Sequence, residues 1–196
     1  LLNATTANQS LRKSSVKVFA QMLYHIRNAT LDDMPNLEKL LTAFMQETFQ
    51  RPWGGTLQKL VQDGLGAEFQ MVIAEAEDQK LIAFAAWISS YDLHHCIKGG
   101  EIIDLFVEPV HRGRGMAIRL ITAIATQIQQ QGGVYIKGQA VENPSAQRLY
   151  QRCARCFPGS DCYVSGRAFR RLSELSDQSL RDVVKNLPEP AWNYEP

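Results

Sequence analysis

Apolar and polar positions along this chain follow two periods, and each change of period marks an element. Tyr24-His25-Ile26-Arg27 alternates as a short strand does. Helical spacing follows: Leu37, Leu40, Leu41 and Phe44 fall three and four residues apart, on one face. Thr30-Leu31-Asp32-Asp33 has the composition of a helix start, with Pro35 still in the first turn. Gly54-Gly55 breaks the pattern, and residues 56–65 fit a second short helix ending at Gly64 or Gly66. Residues 69–76 and 81–90 read as strands, joined in a hairpin by a turn at Asp78-Gln79. Residues 91–100 are polar and end in glycine, so a loop is expected there. A strand over 101–107 is stopped by Pro109. Helical spacing returns over 115–130, where Ala117, Leu120, Ile121, Ile124 and Ile128 share a face, and Gly132-Gly133 ends it. A strand over 134–141 comes next. Asn143-Pro144 then opens a helix, since asparagine suits the N-cap and proline the first helical position.

The last segments are of a different kind. Residues 162–165 fit a final strand. Residues 172–187 are charged, with Leu175, Leu180, Val183, Val184 and Leu187 as apolar points on a helix. A proline-rich tail carries Trp192 and Tyr194. Hairpin-linked strands followed by alternating helices and strands predict an α/β (α+β) fold: a mixed central sheet with helices on both faces, plus a C-terminal helical extension. The domain reading is an N-terminal appendage at 1–21, a main domain at 22–169 and a C-terminal helix and arm at 170–196. The appendage is rich in Ser, Thr, Asn and Lys and has no compact apolar stretch of the signal-peptide kind.

With 196 residues, 45% of them hydrophobic, the chain can bury one good core. A net charge of +1 gives no global field for nucleic acid or an anionic membrane, and neither is expected as a partner. No apolar run approaches a membrane span. Four cysteines include one C-x-x-C, Cys153 to Cys156, without a second pair or histidine partners. Reduced thiols in a cytoplasmic protein and no metal site are therefore expected.

Chemistry concentrates in Val107-Glu108-Pro109-Val110-His111-Arg112-Gly113-Arg114-Gly115-Met116-Ala117. A strand ends, a glycine-rich turn follows and an amphipathic helix begins. Such a turn aims several backbone N–H groups at one spot, beside the positive end of a helix dipole. Gly113 and Gly115 permit close approach and positive φ, and Arg112 and Arg114 add charge. A pyrophosphate suits it. The Gly-Lys-Ser/Thr ending of a nucleotide P-loop is absent, and so is G-x-G-x-x-G after an early parallel β-α-β.

Arg112-Gly113-Arg114-Gly115-Met116-Ala117 resembles the acetyl-CoA signature of the GNAT N-acetyltransferases, Arg/Gln-x-x-Gly-x-Gly/Ala. Asn143-Pro144-Ser145-Ala146-Gln147-Arg148-Leu149-Tyr150 resembles the family's second signature, Asn-x-x-Ala-x-x-x-Tyr. The resemblance covers residues 24–165. It departs where Ala154-Arg155 stands in place of a frequent Gly-Phe, and no final hairpin is recognisable after Cys162.

The resemblance implies transfer of an acetyl group from acetyl-CoA, as co-substrate, to a primary amine. It also implies that Leu105, Phe106 and Val107 pair through their backbones with the pantetheine amides. Residues 112–117 would take the pyrophosphate, and Asn143 and Tyr150 would complete the cofactor site. Tyr150 is implied as general acid, a phenol being a suitable proton donor to a thiolate. Glu101 and Asp104 are the candidate bases. Glu101 falls where the histone-acetyltransferase branch has its glutamate, and Asp104 where the spermidine/spermine branch has an acid. Their strand parity is opposite, so they face different sides of the sheet unless a bulge intervenes. Glu47, Trp53 and Tyr91, with Phe49 and Asp92 near them, are expected to line the acceptor site, and Ile103-Asp104-Leu105-Phe106-Val107 favours a small-molecule amine. Two rival expectations stand beside this: a protein lysine or N-terminal acetyltransferase, and an inactive module that senses acetyl-CoA or mediates assembly. The apolar stripe of residues 172–187 needs a partner surface, which points to a homodimer.

Overall fold

The computed structural model describes residues 24–139 and Gln147. Within them, β1 is Tyr24–Asn28, α1 Met34–Phe49, α2 Leu57–Asp63, β2 Gln70–Ala76, β3 Leu81–Asp92, β4 Ile97–Val107, α3 Met116–Gln130 and β5 Ile136–Gly138. The sheet order is β1-β2-β3-β4-β5. The first four strands form an antiparallel meander, and β5 joins β4 in parallel after the crossover through α3.

Each helix begins and is held for a local reason. Asp33 precedes α1 and accepts from the backbone N–H of Thr30 at 2.7 Å and from its hydroxyl at 2.9 Å. Arg27 of β1 donates to both oxygens of Asp33 at 2.7 and 2.8 Å, and to Glu75 at 2.8 Å, so one guanidinium pins the helix entry to two strands. Asp33 is 7% exposed, and the Arg27 guanidinium, together with the Thr30 bonds, lowers its pKa to about 2. Thr56 caps α2 by accepting from Lys59 N at 3.2 Å.

The core lies in two layers, one on each side of the sheet. Met34, Leu37, Leu40, Leu41 and Phe44 of α1 pack on Met71, Ile73, Leu81, Phe84, Ala86 and Phe106. Met116, Leu120, Ile124 and Ile128 of α3 pack on Val72, Ala74, Ala83, Ala85, Trp87 and Val107. Neighbouring positions of β2 and β4 thus feed opposite layers, as the two-residue period of a strand requires. β2 and β3 are buried on both faces, which explains why Val72-Ile73-Ala74 and Ile82-Phe84 read as apolar runs rather than as alternation.

Two expectations from the sequence are corrected. Residues 91–100 are not a loop: Tyr91 and Asp92 complete β3, and Ile97 to Gly100 begin β4, leaving only Leu93 to Cys96 as the turn. The glycines that suggested a loop lie within the strand because their neighbours leave no room for a Cβ. The Tyr135 ring covers Gly99, while Ile128 and Trp87 crowd Gly100. The strand expected from residue 134 begins at Ile136, with Val134 exposed. Readings that fall on 1–23, 140–146 and 148–196 lie outside the described residues. They include Asn143, Tyr150, the last strand, the appendage and the C-terminal helix. Gln147 is helical and exposed.

Candidate active site

The site is organised by an irregularity in β4. Asp104 pairs with Ala86 and Ile102 with Trp87, so Ile103 has no partner on β3 and forms a bulge. Ala86 belongs to the α1 layer and Trp87 to the α3 layer. Directly opposed residues share a face, so Asp104 lies on the α1 side. Glu101, opposite Ile88, lies there as well. The extra residue cancels the parity difference, and both carboxylates face the same side.

Their surroundings differ. Glu101 accepts from Lys137 Nζ at 2.8 Å across the β4–β5 pair, and this partner raises the Lys137 pKa. Asp104 is half-buried, and no described hydrogen bond or ion pair reaches it. Desolvation alone raises its pKa to about 6. A carboxylate so placed is mostly ionised at neutral pH yet is a stronger base than an ordinary aspartate. Phe106, two residues on and on the same face, is buried in an aromatic group. Its ring centroid lies 5.9 Å from Phe44 and 6.2 Å from Phe84.

The pairing of β4 with β5 covers Gly100 to Ile102 and stops there among the described residues. The rest of that edge, from Ile103 to Val107, carries no described strand. Leu105 and Val107 turn their side chains to the α3 layer and Phe106 to the α1 layer. Their side chains are thus core, and backbone groups are what this edge has to offer a ligand.

Beyond Val107 a short 3-10 turn, Pro109–His111, leads into the glycine turn. Gly113 and Gly115 have φ of 74° and 75°, the left-handed region glycine tolerates. The first helical bond of α3 runs from Arg119 N to Gly115 O. The N–H groups of Met116, Ala117 and Ile118 are therefore left over, and those of Gly113, Arg114 and Gly115 have no backbone acceptor among the described residues. No side chain among the described residues caps the helix. Consecutive unsatisfied donors at the start of a 15-residue helix form a cradle for a phosphate group. Nothing lies within 4 Å of where a Cβ of Gly113 would stand, so the approach from that side is open. The residues present fit the pyrophosphate of acetyl-CoA.

The turn is held from two sides. Arg112 Nε donates to Val107 O at 2.8 Å, and its guanidinium stands 5.5 Å from the centre of the Phe106 ring. Arg114 donates to the Tyr24 hydroxyl at 2.8 Å; that hydroxyl is 3.1 Å from His111 Nδ1, and Arg119 reaches Tyr24 O at 3.2 Å. Sequence reasoning missed Tyr24 as an anchor of the turn, because nothing local links residues 87 to 95 positions apart. Lys137 was missed for the same reason: its partner depends on strand register.

The expected acceptor residues scatter. The Glu47 carboxylate pairs with Arg112 through two contacts, 2.7 and 2.9 Å, bringing the end of α1 to the glycine turn. Trp53 is half-buried and packs against the α1 layer, its ring over Gly55. Phe49 edges Phe44 at 5.8 Å, and the Arg51 guanidinium lies over it. Tyr91 is exposed and has the parity of Trp87, that is, of the α3 side, away from the carboxylates. Asp92 is engaged in the β3–β4 turn, where it accepts from His94 N at 2.8 Å and lies 2.8 Å from His95 Nδ1. No helix among the described residues is long and apolar enough to cross a membrane.

Several solved structures share this fold. The chain is similar to a ribosomal-protein-alanine N-acetyltransferase from Brucella melitensis biovar Abortus 2308, at 19% identity and a TM-score of 0.62, covering 73% of this chain and 99% of that one. It is similar to an aminoglycoside acetyltransferase from an uncultured soil metagenomic sample, solved with sisomicin, at 17% identity and a TM-score of 0.64, covering 74% and 97%. An integron cassette protein from V. cholerae aligns at 17% identity and a TM-score of 0.65, covering 78% and 99%. No curated protein matches the chain by sequence. The acetyltransferase (GNAT) family model matches residues 34–154, which take in α1, the bulged strand, the glycine turn and α3. The chain belongs to the GNAT family of acetyltransferases.

Proposed function

We propose that the protein transfers the acetyl group of acetyl-CoA to a primary amine of a small molecule, with Asp104 as the base and Tyr150 as the acid. The observation that carries this is the desolvated carboxylate of Asp104 on the bulged strand, without an ion-pair partner among the described residues, on the face that α1 partly covers. The N–H groups of residues 113–118, which meet no backbone acceptor among the described residues, hold the pyrophosphate, and the edge of Ile103 to Val107, which carries no described strand, offers its backbone to the pantetheine arm. Asp104 takes a proton from the acceptor's ammonium, directly or through one water, so that the amine lone pair attacks the thioester carbonyl. As the carbon–sulfur bond breaks, Tyr150 gives its proton to the departing thiolate, the nitrogen loses its second proton to water, from which the Tyr150 phenolate is reprotonated, and the neutral acetyl amide remains. Glu101, paired with Lys137, lines the acceptor side. Glu47 at the end of α1 and Trp53 in the loop that follows it contribute to the acceptor site, and Asn143 to the cofactor site.

An aminoglycoside acetyltransferase among the structures of the same fold supports a small cationic acceptor. A coenzyme A release assay with polyamines, amino acids, aminoglycosides and lysine peptides tests the reading. Turnover is expected with a small amine. Turnover confined to peptides would replace that acceptor class, and binding of acetyl-CoA without turnover on any amine would favour the inactive module. Tyr150→Phe is expected to lower turnover roughly 10²-fold while cofactor affinity holds; unchanged turnover would remove Tyr150 from the mechanism. The proposal also covers a cytoplasmic homodimer joined through residues 172–196. Light scattering on the full chain and on a chain ending at Arg171 checks the assembly.

A further inference from the structure

Arg112 and Glu47 present a conflict of duties. Glu47 lies in the last turn of α1, which carries no basic residue of its own. That end of a helix presents carbonyl oxygens and partial negative charge, where a carboxylate is disfavoured. The two together make a place that attracts a cation. Here the cation is Arg112, which spans both Glu47 oxygens at 2.7 and 2.9 Å from 65 residues away. Yet Arg112 opens the glycine turn, whose neighbouring N–H groups await a doubly charged anion. The pair is 40% exposed on each side, so water screens it and its net stabilisation is small. A diphosphate seated a few residues away outbids one screened carboxylate for the same guanidinium. Nε and Cζ, which meet Val107 O and the Phe106 ring, belong to the same rigid guanidinium plane as the two Nη atoms at Glu47, so the group moves as one when it leaves the carboxylate.

We infer that Arg112 is a placeholder in a cation site formed by Glu47 and the end of α1, and that it yields this site to an ammonium group of the acceptor when the cofactor's diphosphate draws it away. Phe106 carries the Arg112 guanidinium on one side and is followed, two residues back on the same face, by Asp104. The vacated carboxylate therefore stands on the acceptor's side of the sheet. It holds a second cationic group of an acceptor whose reacting amine lies at Asp104. The inference rests on the cofactor seat proposed above and adds the residue that couples it to the acceptor.

The sign of one measurement separates this from a merely structural ion pair. If Glu47 competes with the diphosphate, Glu47→Gln tightens coenzyme A about two- to five-fold, the strength of an exposed ion pair. If Glu47 only orients Arg112 for the phosphates, the same change weakens binding. Calorimetric titration with coenzyme A is made on wild type, Glu47→Gln, Arg112→Gln and the double variant, each first shown to melt as wild type does. The expected result is a gain from Glu47→Gln that vanishes in the Arg112→Gln background. No gain, or a loss, overturns the inference, whereas wild type failing to bind coenzyme A overturns the cofactor seat itself. A second titration uses 1,6-diaminohexane with and without saturating coenzyme A. Wild type is expected to bind it more tightly with coenzyme A present, and Glu47→Gln to show no such difference. Equal binding in both states, or none, overturns the acceptor half.

Discussion

Glu101 and Asp104 face the same side of the sheet although three residues separate them in sequence, because Ile103 between them bulges out of the pairing with β3. In a regular strand one of the two would point into the α3 layer, against Trp87, Leu120 and Ile128. The bulge instead brings both to the side that α1 covers only in part. Their environments differ, and the difference supports the proposed division of roles. Lys137 pairs with Glu101, whereas Asp104 is desolvated and meets no hydrogen-bond or ion-pair partner among the described residues.

The first prediction concerns pH. Asp104 must be ionised to take a proton, and its pKa is raised to about 6. Acetyl transfer, as kcat/KM, is expected to rise as pH increases through about 6 and to level off above it, until the acid partner is lost. Asp104→Asn is expected to reduce kcat/KM by roughly 10²- to 10⁴-fold and to erase that limb. A limb at 6 that persists in the variant would assign it to another group.

The same shift bears on stability. A carboxyl whose pKa is higher in the folded protein than in the unfolded chain disfavours folding once pH exceeds the unfolded value, and fully so above the folded one. Asp104→Asn is therefore expected to raise the melting temperature at pH 8 and to leave it nearly unchanged at pH 4. A variant less stable at pH 8 would mean that the ionised carboxylate has a partner.

Gly115 tests the phosphate cradle. Its φ of 75° lies where a β-branched residue is strained. Gly115→Val is expected to turn the first N–H groups of α3 away from a common point and to abolish the thermal shift that coenzyme A gives wild type by mass action. A full shift in the variant would place the cofactor elsewhere.

Asp33 gives a prediction for the scaffold. Its pKa is lowered to about 2 by Arg27 and Thr30. A carboxyl depressed in this way stabilises the fold above its unfolded pKa, near 4, and the contribution disappears as pH falls through about 2. Urea unfolding is expected to show wild type losing about 2 kcal/mol over that interval from this group. Asp33→Asn should lack that loss and be the less stable protein at pH 7. Parallel pH dependence in the two proteins would refute the assignment.

Much of this architecture is written locally. The period of Leu37, Leu40, Leu41 and Phe44, the Thr30 to Asp33 start, the Asp78-Gln79 turn and the glycine-flanked helix α3 depend on residues within a turn or two of each other. Backbone geometry and side-chain spacing therefore made them readable. The glycine turn was readable for the same reason, since positive φ at Gly113 and Gly115 is a property of those residues. Where the local signal was ambiguous the reading failed: Gly99 and Gly100 looked like a loop because their reason, the bulk of Tyr135, Ile128 and Trp87, comes from other elements.

What only the tertiary structure decided is which distant groups meet. The bulge at Ile103 follows from the register of β4 against β3, and register is a property of the pair. Sequence parity alone left Glu101 and Asp104 on opposite faces. The raised pKa of Asp104 requires knowing what covers it, and the Lys137 partner of Glu101 requires β5 to arrive in parallel after a crossover. Glu47 and Arg112 each had a role of their own in the sequence. Folding α1 onto the sheet places them 2.7 Å apart, and the contact turns two separate charges into one coupled site, because Coulomb attraction depends on distance in space and not along the chain.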